Sequence, residues 1–450
     1  MKTTSRPMYF TKLELENVRS FGGRQCLDLL DAQAKPARWT LILGDNGVGK
    51  TTLLQCLTRM RPVFNEAPDE VRGPIPNPVE PQLSQEEDNA VLASFARAGK
   101  DGVSWIRAEL VEGTTFDGNR RLRSHTITTR IEITRSRGQI RKVEPGGSFG
   151  GKNAVEPLVL AYGAARHMGI ANLERAASLG PTDSLFDSAA ELFDAEETLY
   201  QLDYLQLKER AHARTQLASL KAMLAEILPE LESANDIDIR GPRLPGSREE
   251  VGGVWVKTPF GAVPIQRLSL GYQTVMAWTT DIAWRLLNHY PKSLNPLEEP
   301  AIVIVDEIDL HLHPHWQREI RRHLIQHFPA VQFIATAHSP LMAQDALDAN
   351  LAVIHARDGE ATIVSDPAVV KSWRLDQILT SELFGLPSAR APEIETKMRR
   401  RIELGQKRKL TQVERAELSE LNRFMHDLPT AETPEDQSAM EIIRRAAALL

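Results

Sequence analysis

Gly44-Asp45-Asn46-Gly47-Val48-Gly49-Lys50-Thr51 is the stretch on which the reading of this chain turns. It satisfies G-x-x-x-x-G-K-[ST], the pattern of a loop that wraps phosphate. Glycines let backbone N–H groups converge on phosphate oxygens, and the N-terminus of a following helix adds partial positive charge. Lys50 would neutralise the β- and γ-phosphates, and the Thr51 hydroxyl would ligate Mg2+. Asn46, Gly47, Gly49 and Thr52 complete the predicted ATP-binding loop. The alternative, a chance glycine-rich turn, is opposed by the context. Trp39-Thr40-Leu41-Ile42-Leu43 before the loop is an apolar run suited to a strand buried on both faces. Residues 51–60 after it carry helical apolar spacing.

Upstream, Phe10, Leu13, Leu15 and Val18 fall on an alternating stretch that predicts a strand, and Gly22-Gly23 turns it into a second one over residues 26–30. Downstream, residues 61–88 hold Pro62, Pro68, Pro74, Pro76, Pro78 and Pro81 among acidic residues and read as a loop or insertion. Residues 105–143 return to β alternation, 145–151 read as a glycine-rich turn, and 157–163 as a buried strand. Residues 188–232 lack glycine and space their leucines as a helical pair. Residues 254–256 and 262–265 suggest a hairpin, followed by a helix over 271–288. A strand over 301–305, a helix over 314–328 with Pro314 in its first turn, and a strand over 331–335 complete the core. The last segment reads as helices, with no internal repeat and no low-complexity tract.

Three further motifs carry chemistry. Ile302-Val303-Ile304-Val305 runs into Asp306-Glu307, so Asp306 is a candidate Mg2+ ligand and Glu307 a candidate base for an attacking water. The alternative is a strand that ends in solvent on acidic residues. Arg267-Leu268-Ser269-Leu270-Gly271-Tyr272-Gln273 opens a helix, with Ser269 as a natural N-cap and Gly271 keeping the backbone accessible. That is a second phosphate-binding device, redundant in one protomer and sensible if two protomers share ATP. An ordinary capped core helix is the plainer reading. Phe333-Ile334-Ala335-Thr336-Ala337 ends at His338, which could contact a γ-phosphate and register its loss. A histidine after a strand is more often structural, and the order of the four elements is what raises the functional reading.

That order resembles the ABC-type ATPases, and more narrowly their SMC/RecF/OLD branch. Leu13-Glu14-Leu15-Glu16-Asn17-Val18-Arg19-Ser20-Phe21 is similar to the branch's L-x-I-x-N-F-R-S-F opening, with Val18 in place of Phe. Asp306-Glu307-Ile308-Asp309-Leu310-His311-Leu312-His313-Pro314 resembles its DEx[DE]xxLHP form, and Thr336-Ala337-His338-Ser339-Pro340 its T-x-H-S-P. The resemblance covers residues 9–385 with gaps. It implies an α/β fold: an ABC/RecF-like P-loop ATPase head with a mainly parallel core sheet, a β-rich lobe, a helical insertion and a helical C-terminal region. It implies ATP and Mg2+ as ligands and Arg19 at the nucleotide. It also implies a homodimer in which Ser269, Gly271 and Gln273 of one head meet the γ-phosphate held by Lys50 of the other. Glu307 and His338 would be catalytic, Thr51 and Asp306 would hold the metal, and Asp309 would relay state across the dimer. The signature departs from LSGGQ, reading Leu-Ser-Leu-Gly-Tyr-Gln, and no Q-loop glutamine is evident where Ala161-Tyr162-Gly163-Ala164-Ala165-Arg166 stands. Residues 373–386 resemble the tail of anti-phage defence ATPases of the Septu and retron type.

The resemblance and the element pattern divide the 450 residues as 1–60, an N-terminal lobe with the phosphate loop; 61–100, a proline-rich insertion; 101–175, the β-rich remainder; 176–250, a helical insertion; 251–365, the core with signature, acidic strand and histidine; and 366–450, a helical C-terminal region. Two cysteines, Cys26 and Cys56, suit a reducing cytoplasm and are expected to be buried and reduced. No apolar run reaches the ~18 residues of a membrane span, and residues 1–8 lack the apolar core of a secretory signal. The net charge of −6 hides two cationic stretches, +7 over residues 120–142 (eight Arg/Lys less Glu132) and +6 over 397–409 (seven less Glu403). Either could meet a DNA or RNA backbone, or be a solvated face. His311, His313 and His315 alternate as metal ligands might, but Pro314 breaks the strand that would align them. Beyond His338 no acidic TOPRIM pattern and no H-N-H cluster is seen, so a nuclease is expected as a partner rather than within the chain. A transporter ATPase fits less well, given the LHP tail of the acidic motif. A slow or non-hydrolysing nucleotide sensor that restrains a partner effector remains the second reading.

Overall fold

The computed structural model describes residues 7–63, 75–76, 91–113, 116, 125–149, 156–168, 180–210, 212–228, 231–241, 252–345, 349–365, 373–381, 384, 386, 388–407 and 409–426. Most of the proline-rich stretch, Arg120, Arg121 and Arg123 of the first cationic segment, Gly150 and Gly151, and Arg408 lie outside them. The chain forms two compact units, Met1–Ile378 and Leu379–Leu450.

The first unit is built on two sheets. One is antiparallel, with strands β1 (Met8–Glu16), β2 (Gln25–Asp28), β6 (Gly102–Glu112), β7 (His125–Ser136) and β8 (Gln139–Phe149) in the order β2-β1-β6-β7-β8. Its alternation is the expected one. Ile106, Ala108 and Leu110 of β6 and Ile127, Ile131 and Ile133 of β7 point inward and are fully buried, while Arg107, Glu109, Arg130 and Glu132 point outward. Residues 145–149 correct the expected glycine-rich turn: they continue β8 as a strand, Pro145 opposite Ile131. Because β8 is the edge of the sheet, proline's missing N–H costs no ladder bond there.

The other sheet has six strands in the order β18-β17-β3-β16-β15-β9: β3 (Trp39–Gly44), β9 (Val159–Tyr162), β15 (Ala301–Val305), β16 (Val331–Ala337), β17 (Asn350–Arg357) and β18 (Glu360–Val364). All neighbours are parallel except β17 with β18. The five residues of β15 and the seven of β16 are all buried, as the unbroken apolar runs require. Helix α1 (Lys50–Arg59) packs Leu53, Leu54 and Leu57 into one core shared by both sheets, and Thr129 of β7 donates to the Met60 carbonyl at its end.

The helical insertion is the expected pair, α2 (Ala195–Leu207) and α3 (Ala213–Ile227). A small sheet, β12 (Ile237–Arg240), β13 (Gly253–Thr258) and β14 (Gly261–Pro264), adds one strand to the predicted hairpin. It leads into α4 (Leu270–His289). Helix α5 (Pro314–His327) starts with Pro314 at its first turn, and α6 (Pro340–Asp345) follows β16. The unit also holds two-residue pairings, β4 (Pro62–Val63) with β5 (Ile75–Pro76) and β10 (His167–Met168) with β11 (Glu191–Leu192), and the short α7 (Leu375–Thr380) runs across the boundary between the units. The second unit holds a helical hairpin, α8 (Pro392–Gln406) and α9 (Gln412–His426).

The two cysteines separate. Cys56 is fully buried in α1, and burial pushes its thiol up to about 12. Cys26 is exposed, because on β2 it alternates with the inward Leu27. The cationic stretches are also less bare than their sums. On their own strands Arg130 pairs with Glu132 and Lys142 with Glu144. In the hairpin Arg400 reaches Glu417 by two bonds of 2.8 and 3.0 Å, and Lys407 reaches Glu414 at 2.6 Å.

Candidate nucleotide site

Parallel register brings the motif-bearing strand ends to one edge. Gly44 ends β3 opposite Ile354 of β17, one residue past the pairing of Leu43 with Ala337 of β16; Val305 ends β15 in line with Ala335 of β16, and Tyr162 ends β9 opposite Val305. The carboxyl edge of such a sheet is where ligands bind in open α/β folds.

The loop takes the conformation its glycines permit. Gly49 is the N-cap of α1 at φ 108°, and a Cβ there would lie 2.4 Å from Ser20 Oγ and 2.9 Å from the Phe21 ring. Ser20 donates back to the Val48 carbonyl at 3.2 Å. This is the physical reason for Arg19-Ser20-Phe21 in the opening motif: the turn after β1 packs on the glycine loop. Lys50 is 6% exposed, and its ammonium donates to the carbonyls of Gly44 (2.7 Å) and Asp45 (2.8 Å). Burial pushes that ammonium below its usual pKa, against the pull of Asp306, Glu307, Asp45 and Asp309. Arg19 stands beside the first turns of α1, donating to Gln55 Oε1 at 2.7 Å, with its guanidinium 4.8 Å from the Phe95 ring. Asn46 and Gly47 are exposed on the loop and Thr52 is buried.

Across the sheet the acidic strand end meets the loop. Thr51 Oγ1 donates to Asp306 Oδ2 at 2.6 Å, joining residues 255 apart in sequence. Thr336 Oγ1 donates to Asp306 Oδ1 at 2.5 Å and accepts from the Glu307 N–H at 2.7 Å. Glu307 is at φ 47°, a left-handed conformation that a non-glycine residue adopts at a cost. Its Oε1 lies 3.7 Å from His338 Nε2. Asp309 accepts the His338 N–H at 3.0 Å, so within this chain it fixes the backbone of the histidine.

The signature segment corrects one expectation. Ser269 is the N-cap of α4 but its hydroxyl makes no capping bond, and the side chain is exposed. Gly271 answers a close approach as well as backbone access: a Cβ there would sit 2.4 Å from the His311 carbonyl oxygen. The Gln273 amide donates to the carbonyls of Gln266 and Leu268, both at 2.8 Å, holding its own loop. Leu270, standing where the family motif has glycine, is 59% exposed.

Two residues have a part in the site that their motifs do not announce. Thr336 belongs to the T-x-H-S-P motif, and its hydroxyl ties together both acidic residues. Arg166 occupies the place of the missing glutamine, is 2% exposed, and donates to the carbonyls of Asp306 (3.0 Å) and Glu307 (2.8 Å). Burial pushes its guanidinium down to about 10, against Asp306, Asp309 and Glu307, so it stays cationic at neutral pH. The signal available was a cationic residue three positions after a buried strand and its glycine.

Among the described residues no group of three or more His, Cys, Asp and Glu is placed to hold a metal. His313 instead accepts the His315 N–H at the start of α5. What the site offers a cation is the hydroxyl of Thr51 and the carboxylate of Asp306. These hard oxygen donors fit Mg2+, which usually takes one or two protein ligands beside water and phosphate.

Comparison with known proteins agrees with this geometry. Residues 12–232 match the family model described as "AAA domain", and residues 178–343 that described as "AAA domain, putative AbiEii toxin, Type IV TA system". The chain is 24% identical over 396 residues to the Septu protein PtuA of Bacillus mycoides (strain KBAB4), covering 86% of this chain and 46% of that protein. It is 41% identical over 103 residues to the Retron Vc95 probable ATPase of Vibrio cholerae serotype O1 biovar El Tor, 23% of this chain and 20% of that one. The matched stretches therefore span less than half the length of these relatives. Among solved structures, an SMC head bound to the C-winged helix domain of ScpA overlays with a TM-score of 0.43 at 16% identity, over 80% of this chain and 98% of that one. The glycine loop and the acidic strand end thus lie in a chain that matches AAA-domain family models over residues 12–232 and 178–343 and resembles the Septu and retron ATPases.

Proposed function

We propose that this chain binds ATP with Mg2+ on the loop from Asn46 to Thr52 and hydrolyses it within a dimer of heads. The single observation that carries the reading is the 2.6 Å contact between Thr51 and Asp306, with Glu307 and His338 beside it. Lys50 would leave its two loop carbonyls for the β- and γ-phosphates. Arg19 would stand at the nucleotide from the side of α1. Mg2+, held by Thr51 and Asp306, would offset phosphate charge. Glu307 would orient the attacking water and take its proton, and His338 would contact the γ-phosphate. Ser269, whose hydroxyl is free of the helix cap, and Gly271 would reach the nucleotide of the partner head, with Gln273 steadying that loop and Asp309 linking His338 to the dimer. The nucleotide state would be read by a partner effector, a nuclease first, in anti-phage defence, with DNA or RNA as a further partner. The test is Lys50→Ala: nucleotide binding should be lost while the melting temperature holds, and retained tight binding would overturn the site assignment.

A specific observation favours a slower variant of the same reading. Leu270 is exposed at the mouth of the signature helix and Gln273 is engaged within its own chain. A head built this way would hold ATP and turn it over slowly, acting as a sensor that restrains the effector. Single-turnover hydrolysis separates the two: a rate far below the 1–100 s⁻¹ scale of phosphoryl-transfer enzymes such as kinases supports the sensor.

A further inference from the structure

Glu307 carries its carboxylate on a backbone turned into the left-handed region, φ 47°, two residues past the end of a fully buried strand. A non-glycine residue stays there only if its surroundings over-determine it. Two contacts do so. From β16, the Thr336 hydroxyl accepts the Glu307 N–H. From the loop after β9, the Arg166 guanidinium donates one terminal N–H to the Asp306 carbonyl and the other to the Glu307 carbonyl, bracketing the turn. The rest of Arg166 is committed to that post. It is 2% exposed, its guanidinium lies 5.9 Å from the Trp278 ring of α4, and its Nε has no partner. A buried cation with an unmet donor is expensive to keep, and none of the site chemistry described so far uses it.

We infer that Arg166 is the positioning residue for Glu307: its two-pronged hold on the carbonyls of Asp306 and Glu307 sets the direction of the base, in the place where a Q-loop glutamine is missing. The inference rests on the reading of Glu307 as the base of ATP hydrolysis. It deepens that reading by naming a second, non-contacting group on which the rate depends. Because the hold is a planar fork with fixed spacing, lysine cannot reproduce it; one ammonium can satisfy one carbonyl well but not bracket the turn. The seat against Trp278 places the same guanidinium on the signature helix, so the catalytic turn and that helix share a contact.

The experiment compares the full chain with Arg166→Lys, Glu307→Gln and the double variant, reading ATP affinity, KM, kcat and single-turnover rate. Arg166→Lys keeps a buried cation, and its ATP binding reports folding independently of turnover. The expected result is ATP affinity and KM unchanged and kcat lowered on the order of 10²-fold, the cost of displacing a catalytic group by about an ångström. The double variant should be no slower than Glu307→Gln, because Arg166 acts only through that carboxylate. Turnover in the unaltered chain with kcat preserved in Arg166→Lys overturns the positioning role alone. So does a loss of ATP affinity in step with kcat, or a double variant slower than Glu307→Gln. Absence of turnover in the unaltered chain, seen before any variant is made, overturns the hydrolytic reading itself, and the positioning role falls with it.

Discussion

Thr336 shows how much one hydroxyl can decide. It is fully buried, donates to Asp306 Oδ1 and accepts from the Glu307 N–H, so the candidate metal ligand and the candidate base share one anchor. Thr336→Val keeps the shape and removes the hydroxyl. It would leave a buried carboxylate oxygen without its donor and a strained N–H without its acceptor, a loss of about 1–3 kcal/mol of stability. Denaturant unfolding should show that loss, together with a fall in kcat, and Thr336→Ser should recover both. The residue is legible as part of a T-x-H-S-P string, but its pair of hydrogen bonds is not. Nothing in the spacing of residues 306, 307 and 336 says that adjacent strands bring them within 3 Å. The same holds for Arg166, whose value lies in two backbone carbonyls that carry no side-chain signature.

At the scale of elements, α4 is tied to the site by a buried polar cluster. The Tyr162 hydroxyl donates to Asp281 Oδ2 at 2.7 Å, Arg285 Nε donates to the same oxygen at 2.7 Å, and the Phe193 N–H donates to Oδ1. Burial and Asp281 push the Tyr162 phenol well above its ordinary value, so it remains a donor. The backbone carbonyl of Tyr162 accepts the Asp306 N–H at 2.8 Å, so the cluster spans from the signature helix to the acidic strand end. Asp281 is fully buried and the Arg285 side chain is 14% exposed. Asp281→Ala would leave that guanidinium without its partner and cost up to about 3–5 kcal/mol, the range for breaking a buried pair from one side. A drop of that size in unfolding free energy is the expected outcome; a near-neutral variant would show that water reaches Arg285. By contrast the charge pairs on the outer face of the antiparallel sheet are exposed and contribute ~0–1 kcal/mol each. They matter for a different reason: Glu144, outside the summed stretch, pairs with Lys142 and lowers the charge that the sum assigns to it.

For the whole molecule, Ser269 and Lys50 stand at separate loops of one chain, and the proposed reaction needs two heads. Glu307→Gln should bind ATP, hydrolyse it at least ~10²-fold more slowly, within the contribution of a positioned base, and accumulate as an ATP-dependent dimer. Size-exclusion with light scattering reads the dimer. Affinity purification of the same variant with and without ATP reads the effector; a dimer that forms without regard to ATP would overturn the coupling. The described residues contain no helix long and apolar enough to cross a membrane. Sequence by itself determined the glycine loop, the buried strand before it and the helix after it, the helical pair and the acidic strand end, because each is a local pattern of periodicity or spacing. It missed β17 and β18, and it turned Pro145–Phe149 into a loop, since an edge strand tolerates residues that look like punctuation. Only tertiary structure decided that β16 lies between β3 and β15. That strand order places Thr51, Asp306 and Thr336 in contact, and β9 beside β15 seats Arg166 under Glu307. Hydrogen bonds between residues 29 to 255 apart depend on which strands are neighbours, and no local pattern encodes that neighbourhood.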